Sequence, residues 1–305
     1  MKKTFSLAMI LVFILCLIPI SSFADTEHHG FTLPDYYTNE CPAKGNIYTL
    51  YLNPEREVRV WTPFDYNPDK QYELIVLLHG DGNNIEAWLT VSHYYLGASI
   101  TGENLFNWIA YENKCNPFIV ATIDNDAKKY RLTLMEDIRD TIKLCADNFS
   151  TYARSASDSD IVKARNHITV GGLSRGSILS FQYMTVYPET CGNYICMSGN
   201  VARRNLADYF DNKGNVIEKL FVASGLGDDR FYEGCYTCYK YLENHSKQHK
   251  FVSYNGGHIW PVWITGIYDA LTYLIPKDAP QVSDCGINNR FKSAVKNICI
   301  NHQQR

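Results

Sequence analysis

Short apolar runs alternate with amphipathic stretches along most of this chain. The apolar runs are rich in Val, Ile and Leu, and several end at glycine, which is typical of strands buried within a sheet. The runs that predict such strands are YELIVLLHG (72–80), PFIVATID (117–124), HITVGG (167–172), NYICMSG (193–199), KLFVASG (219–225) and KFVSYNGGH (250–258). Apolar residues at helical spacing predict helices over 103–114, 132–149, 177–187, 231–249 and 259–274.

Alternating strands and helices favour a parallel sheet wrapped by helices. The first two predicted strands, within residues 46–66, are joined by a tight turn at Asn53–Pro54. A turn that short leaves no room for a parallel crossover, so these strands should pair antiparallel at one edge. The sequence therefore predicts an α/β fold with a mostly parallel central sheet, antiparallel N-terminal edge strands and helices on both faces.

The first 24 residues have the pattern of a secretory signal peptide. Lys2 and Lys3 precede an apolar run from Leu7 to Ile20, and small residues follow up to Ala24. We expect a signal peptide over 1–24, one catalytic domain over 25–276 and a cysteine-containing tail over 277–305. The protein is then secreted, into the periplasm or the medium. No second long apolar run is present, so the mature form should lack a membrane span.

Composition and charge exclude several classes of partner. The chain has 305 residues, of which 46% are hydrophobic and 20% charged, and a formal net charge of -3. These values are typical of globular proteins. A slightly acidic chain carries no electrostatic footprint for nucleic acid, so no nucleic-acid partner is expected.

Nine of the ten cysteines lie after the predicted signal peptide. In an oxidising compartment several should pair, and an odd number leaves at least one free. The local candidates are Cys191 with Cys196 and, in the tail, Cys285 with Cys299. Cys235 and Cys238 form a lone C-x-x-C, whereas a structural zinc site needs four ligands, so no metal is expected.

The segment Gly172-Leu173-Ser174-Arg175-Gly176 lies between a predicted strand and a predicted helix. A sharp strand-to-helix turn there lifts the serine hydroxyl above the carboxyl edge of the sheet, and the glycines remove side chains that would clash. The alternative is a glycine-rich loop with a capping serine. The surrounding pattern favours Ser174 as a nucleophile.

A serine nucleophile needs a histidine base and an acid that orients the histidine. Where a serine on such a strand-to-helix turn is the nucleophile, the acid and then the histidine come later in the chain. Among the later histidines, only His258 follows a strand and precedes a helix, so we expect it to be the base. Asp228 and Asp229 both follow the strand 219–225. We assign Asp228 as the acid and Asp229 as the helix cap, and the reverse assignment stays open.

Acyl transfer also needs amide donors for the developing oxyanion. One donor is the N–H of Arg175, which directly follows the nucleophile. For the second we expect the N–H of Asp81, because Gly80 and Gly82 let the backbone approach a substrate closely. Chemistry of this kind requires no cofactor.

Four segments together resemble the esterase-D-like group of α/β-hydrolases, which includes feruloyl and acetylxylan esterases: LIVLLHGDGNNIEAW, GGLSRGS, ASGLGDD and NGGHIWPVW. The resemblance implies an α/β-hydrolase fold in which Ser174, Asp228 and His258 form the triad. It also implies an ester substrate, an acylated polysaccharide or oligosaccharide. The chain departs from the family pattern at Arg175 and Ser177, where the family has a small or methionine-like residue and a glycine.

Tryptophans lie beside the candidate site in sequence. Trp88 and Trp260, with Trp263, suit stacking on an aryl group or a sugar, and each equally suits a place in the core. Two other functions remain open: a secreted lipase, acyltransferase or peptidase of the same fold, and a non-catalytic binding protein on a hydrolase scaffold.

Overall fold

The computed structural model describes residues 27–211 and 217–277. The predicted signal peptide and all but the first residue of the predicted tail lie outside these ranges. Eleven strands are described: β1 (Glu27–His29), β2 (Asn46–Asn53), β3 (Arg56–Thr62), β4 (Glu73–Leu78), β5 (His93–Tyr95), β6 (Ala98–Ile100), β7 (Phe118–Ile123), β8 (Ile168–Leu173), β9 (Asn193–Met197), β10 (Ile217–Gly225) and β11 (Ser246–Tyr254).

Nine of these strands form the central sheet, in the order β1-β11-β10-β9-β8-β4-β7-β3-β2. Strand β3 pairs antiparallel with both β2 and β7, whereas all other pairs in this sheet are parallel. The predicted fold class is therefore confirmed, including the antiparallel strands at the N-terminal edge. Strands β5 and β6 form a separate hairpin.

Helices cover both faces of the sheet. They are α1 (Gly102–Tyr111), α2 (Ala127–Tyr130), α3 (Leu134–Asn148), α4 (Asp158–Ala164), α5 (Arg175–Val186), α6 (Arg203–Phe210), α7 (Tyr232–Leu242) and α8 (Trp260–Leu274). Short 3-10 turns lie at Asp35–Thr38, Arg165–His167 and Glu243–His245.

Strand β4 shows why the central strands read as continuous apolar runs. All six of its residues are buried. Leu74, Val76 and Leu78 belong to the core beneath α3 and α5, whereas Ile75 and Leu77 belong to the core beneath α1 and α8. Successive side chains of a strand point to opposite faces, so a strand covered on both faces is mostly apolar. The exception in β4 is its first residue, Glu73, whose buried carboxylate pairs with His167 Nδ1 at 2.9 Å.

One predicted helix is wrong in its second half. The helix predicted over 231–249 ends at Leu242, and β11 begins at Ser246, so His249 lies on a strand and not on a helix. The first residues of β11 are polar, and three of them are exposed. Polar residues at the exposed start of a strand lack the apolar alternation that would identify it.

The predicted bridge between Cys191 and Cys196 does not form. The seven cysteines of the described ranges are all free and buried. The Cys191 thiol donates instead to the carbonyl oxygens of Ile168 and Asn193, at 3.2 and 3.0 Å. Burial raises its pKa to about 12. The thiols therefore serve as small core side chains, and those of Cys191, Cys235 and Cys238 also donate to backbone carbonyls. The predicted pair Cys285–Cys299 lies outside the described ranges.

Candidate active site

Ser174 lies at a strained turn between β8 and α5, which we call the serine elbow. Its φ of 52° and ψ of -116° are a backbone conformation that a residue with a side chain rarely adopts. The Ser174 amide donates to the Met197 carbonyl at 2.8 Å, which ties the turn to the neighbouring strand. A Cβ on Gly172 or Gly176 would lie only 2.4 or 2.2 Å from the carbonyl oxygen of Leu78. Only glycine allows the turn to pack this tightly against the end of β4.

Three side chains from separate loops meet at the carboxyl edge of the sheet. His258 Nε2 lies 3.0 Å from Ser174 Oγ, and His258 Nδ1 lies 2.8 Å from Asp228 Oδ2. A neutral imidazole that donates its Nδ1–H to the carboxylate accepts the serine hydroxyl proton at Nε2. The arrangement is a hydrogen-bonded relay from a hydroxyl to a carboxylate.

The loops after β10 and β11 fix the carboxylate and the imidazole relative to each other. Leu226 and Gly227 donate backbone hydrogen bonds to Tyr254 and Gly256, at 2.9 and 2.7 Å. The Asp228 side chain is almost fully buried, whereas 35% of the His258 side chain is exposed. The carboxylate is thus shielded from water, and the imidazole is open to a substrate.

Two aromatic rings hold the His258 imidazole. Phe231 stacks on it with a centroid distance of 5.2 Å, and Trp263 meets it edge-on at 4.9 Å. Such contacts restrict the ring to one orientation. Asp229 is exposed, and the N-cap position of α7 is occupied by Phe231, with no side-chain cap, so the predicted capping role of Asp229 is wrong.

The turn after β4 packs directly against Ser174. A Cβ on Gly80 would lie 2.6 Å from Leu173 Cδ1 and 3.4 Å from Ser174 Cβ. The Asn83 amide donates to the Gly80 carbonyl, and Gly82 has a φ of 77°, which closes a tight turn. Asp81, whose amide is the predicted second oxyanion donor, therefore lies one residue from the contact with the elbow.

His79 and Asn125 anchor this turn from below, and the sequence analysis missed Asn125. The Asn125 side chain accepts from the His79 amide and donates to the His79 carbonyl, both at 2.8 Å. The Asn125 amide donates to His79 Nε2, and His79 Nδ1–H donates to the Gly80 carbonyl. Asn125 follows the predicted strand 117–124 directly, and that position was the available signal.

The structure separates the tryptophans that were predicted to contact substrate. Trp88 is 1% exposed, and its indole N–H donates to the Leu78 carbonyl, so it lies in the core and has no surface to offer a ligand. Trp260 is half-buried and stacks on His93 with a centroid distance of 3.3 Å. Trp263 is buried behind His258. Of the two predicted substrate-binding tryptophans, only Trp260 reaches the surface.

Two exposed apolar side chains flank the relay and were missed by the sequence analysis. Leu226 and Ile259 are each 43% exposed. Leu226 lies two residues before Asp228, and Ile259 directly follows His258. Their adjacency to the acid and the base was the only signal in the sequence. The loops that carry the acid and the base therefore each expose an apolar side chain.

Within the described ranges, no group of three or more His, Cys, Asp or Glu side chains is placed to hold a metal ion. Among the helices described, none is both long and apolar enough to cross a bilayer.

The sheet order, the serine elbow and the loops that follow β10 and β11 define an α/β-hydrolase fold. Comparison with solved structures agrees. The feruloyl esterase module of Clostridium thermocellum, a mutant complexed with sinapinate, superposes with a TM-score of 0.70 at 20% identity, covering 86% of this chain and 98% of that one. A ferulic acid esterase of Anaeromyces mucronatus, in complex with ferulic acid, gives 0.58 at 13% identity, covering 79% and 95%. The predicted resemblance to feruloyl esterases is thereby confirmed in fold.

The chain is also similar in sequence to a curated protein. Endo-1,4-beta-xylanase Y of Acetivibrio thermocellus is 25% identical over 205 residues, which are 65% of this chain. The chain spans only 18% of the length of that relative. No protein-family model matches the chain.

Proposed function

We propose that this protein is a secreted serine carboxylesterase that removes feruloyl or acetyl groups from plant cell-wall polysaccharide. The observation that carries the proposal is the hydrogen-bonded relay Ser174–His258–Asp228, with its hydroxyl and imidazole open to solvent and its carboxylate buried. A hydroxyl joined in this way to an oriented imidazole is the constellation that activates serine for acyl transfer.

The reaction has two halves. Ser174 Oγ attacks the ester carbonyl while His258 Nε2 takes its proton, and Asp228 stabilises the resulting imidazolium. The amides of Arg175 and Asp81 donate to the oxygen that becomes negative. The C–O bond to the alcohol then breaks, and the alcohol leaves with the proton from His258. Water, deprotonated by the same imidazole, then attacks the acyl carbon. The bond from that carbon to Ser174 Oγ breaks, His258 returns the proton to Oγ, and the acid is released.

The exposed apolar residues next to the acid and the base, together with the similar proteins, support the substrate class. Leu226 and Ile259 are exposed on the loops that carry Asp228 and His258, and they suit the flat apolar face of an aryl acyl group. The similar solved structures are described as feruloyl and ferulic acid esterases, and the similar curated protein is described as a xylanase. A signal peptide over 1–24 would deliver the enzyme to substrates too large to enter a cell.

The test is labelling with a fluorophosphonate probe, followed by a panel of substrates. The wild type should be labelled at Ser174 and should hydrolyse methyl ferulate or p-nitrophenyl acetate faster than a long-chain ester or a dipeptide amide. Ser174→Ala should abolish both labelling and turnover. Faster hydrolysis of the long-chain ester would favour a lipase, and faster hydrolysis of the amide would favour a peptidase. Absence of labelling and turnover in the folded wild type would favour a binding protein.

Asp228 and its neighbour provide a matched pair for the role of the acid. Asp228→Asn should lower kcat by about three to four orders of magnitude, because the amide no longer holds the imidazole in the required tautomer. Asp229→Asn removes the same charge from an exposed side chain one residue away and should change kcat little. A larger loss in Asp229→Asn than in Asp228→Asn would reverse the assignment.

A further inference from the structure

An ion pair joins the side chains of the two residues whose amides are the proposed oxyanion donors. Arg175 Nε lies 3.6 Å from Asp81 Oδ1. Arg175 begins α5 directly after the nucleophile, whereas Asp81 belongs to the turn after β4. The Arg175 side chain is 26% exposed and the Asp81 side chain 75% exposed. The ion pair therefore links the start of α5 to the turn after β4 on the side that faces solvent.

The neighbouring contacts show that this bridge lies close to the reacting atoms. Gly80, the residue before Asp81, packs against the Cβ of Ser174. Asp81 follows Gly80, and its carboxylate pairs with the residue after Ser174, so a negative charge lies near the nucleophile. The carboxylate is mostly exposed, so water weakens its repulsion of the developing negative charge without removing it. An unpaired carboxylate here would oppose the reaction.

The Arg175 guanidinium offsets that charge. Its Nε is buried and makes no hydrogen bond within the described structure. A buried N–H without an acceptor costs free energy. The attraction between the guanidinium and the nearby Asp81 carboxylate offsets that cost. Arg175 is also where the chain departs from the pattern of the family that it resembles, in which a small or methionine-like residue follows the serine.

We propose that the Asp81–Arg175 ion pair positions the oxyanion hole: it holds the turn after β4 against the start of α5 and cancels the carboxylate charge beside the reacting oxygen. The proposal rests on the esterase function proposed above. Both side chains act through the amides and the local field and do not touch the substrate. The side chains of Asp81 and Arg175 act as positioning groups, and this role is separate from the proposed role of their backbone amides.

The test is a double-mutant cycle in kcat on the ester that the wild type hydrolyses fastest. Arg175→Met keeps the length of the side chain and removes its charge, and it should lower kcat by about fivefold, which is the effect of about 1 kcal/mol. KM should change by less than about twofold, since the pair does not contact substrate. Asp81→Asn should lower kcat less, because it removes the repelling charge together with the pair. The double variant should be faster than Arg175→Met, and Arg175→Lys should lose less than Arg175→Met.

A second ion pair provides the control. Arg139 and Asp140 on α3 lie 2.8 Å apart and contact none of the site residues. Arg139→Met, Asp140→Asn and their double variant should leave kcat unchanged. Each variant is checked by its thermal unfolding midpoint, so that a loss of folded protein is not read as a loss of rate.

The outcomes separate this inference from the proposed function. If Arg175→Met retains the wild-type kcat, or if the two single losses multiply in the double variant, the pair does not position the oxyanion hole. The esterase function then stands on the turnover of the wild type. A wild type that neither reacts with the probe nor hydrolyses any ester overturns both proposals.

Discussion

Gly176→Ala tests the close contact between the serine elbow and the end of β4. Gly176 is the second residue of α5, and a Cβ there would lie 2.2 Å from the Leu78 carbonyl oxygen and 2.6 Å from its carbon. Contacts of a real Cβ are essentially never shorter than 3.0 Å, so the separation must grow by at least 0.8 Å. Both partners are backbone, and neither can rotate away. The substitution must therefore move α5 relative to β4.

Both the rate and the stability should fall. The displacement separates Ser174 and Arg175, at the start of α5, from the turn that carries the Asp81 amide. A misplacement of about 1 Å in an active site costs about a hundredfold in rate. Overpacking of a well-packed contact costs about 1–3 kcal/mol of stability. We expect kcat to fall about a hundredfold in a variant that still folds.

Gly192→Ala is the matched control. A Cβ on Gly192 would lie 2.9 Å from the Arg165 carbonyl oxygen and from Glu218 Cγ, at the edge of the sheet where β9 begins. That edge is opposite the candidate site. Ester hydrolysis and thermal unfolding, measured on both variants, should show lower stability in each and a lower kcat only in Gly176→Ala. A folded Gly176→Ala with nearly wild-type kcat would refute the view that this contact positions the amides.

Two further predictions follow from buried titratable groups. Burial lowers the pKa of His93, which stacks on Trp260. As the pH falls below about 6.5, the histidine is therefore protonated in the unfolded chain before it is protonated in the folded protein, and the folded protein loses stability in that range. Thermal unfolding of His93→Gln should show a smaller loss between neutral and mildly acidic pH than the wild type, and parallel curves would contradict the prediction. Burial raises the pKa of seven thiols, those of Cys41, Cys115, Cys145, Cys191, Cys196, Cys235 and Cys238. Iodoacetamide at mildly alkaline pH should therefore leave these thiols unmodified in the native protein and modify them after denaturation. Mass spectrometry that finds any of them labelled in the native protein would contradict their burial.

The parts of the fold that the sequence predicts well are those in which one physical pattern dominates. Strands β4, β7 and β8 are covered on both faces, so each is a mostly apolar run without the alternation of a half-exposed strand. The order of strands and helices then limits the topology to a mostly parallel sheet. The elbow was recognisable because glycines stand where a side chain would clash with Leu78.

The missed parts depend on turns that carry no sequence signal and on packing that no local pattern reveals. The β5–β6 hairpin turns at Leu96 and Gly97, both with positive φ, and leucine is not a residue that signals such a turn. The burial of Trp88 follows from its hydrogen bond to Leu78 and from packing that no local pattern reveals. For the candidate site, the sequence selected Ser174 and His258 from their positions, and the structure brings them together. Their catalytic roles remain proposals for the variants above to test.

The pairing of β1 with β11 bears on the order in which the chain folds. Glu27 pairs with Val252, so the first described strand completes the sheet only after the last has formed. Contacts between such remote segments form slowly, because a long loop must close before they contribute stability. A chain emerging gradually from a ribosome or a translocation pore would therefore keep this edge unpaired until β11 had been delivered. Since β11 leads directly into the loop that bears His258, assembly of the reactive centre belongs to the final stage of folding.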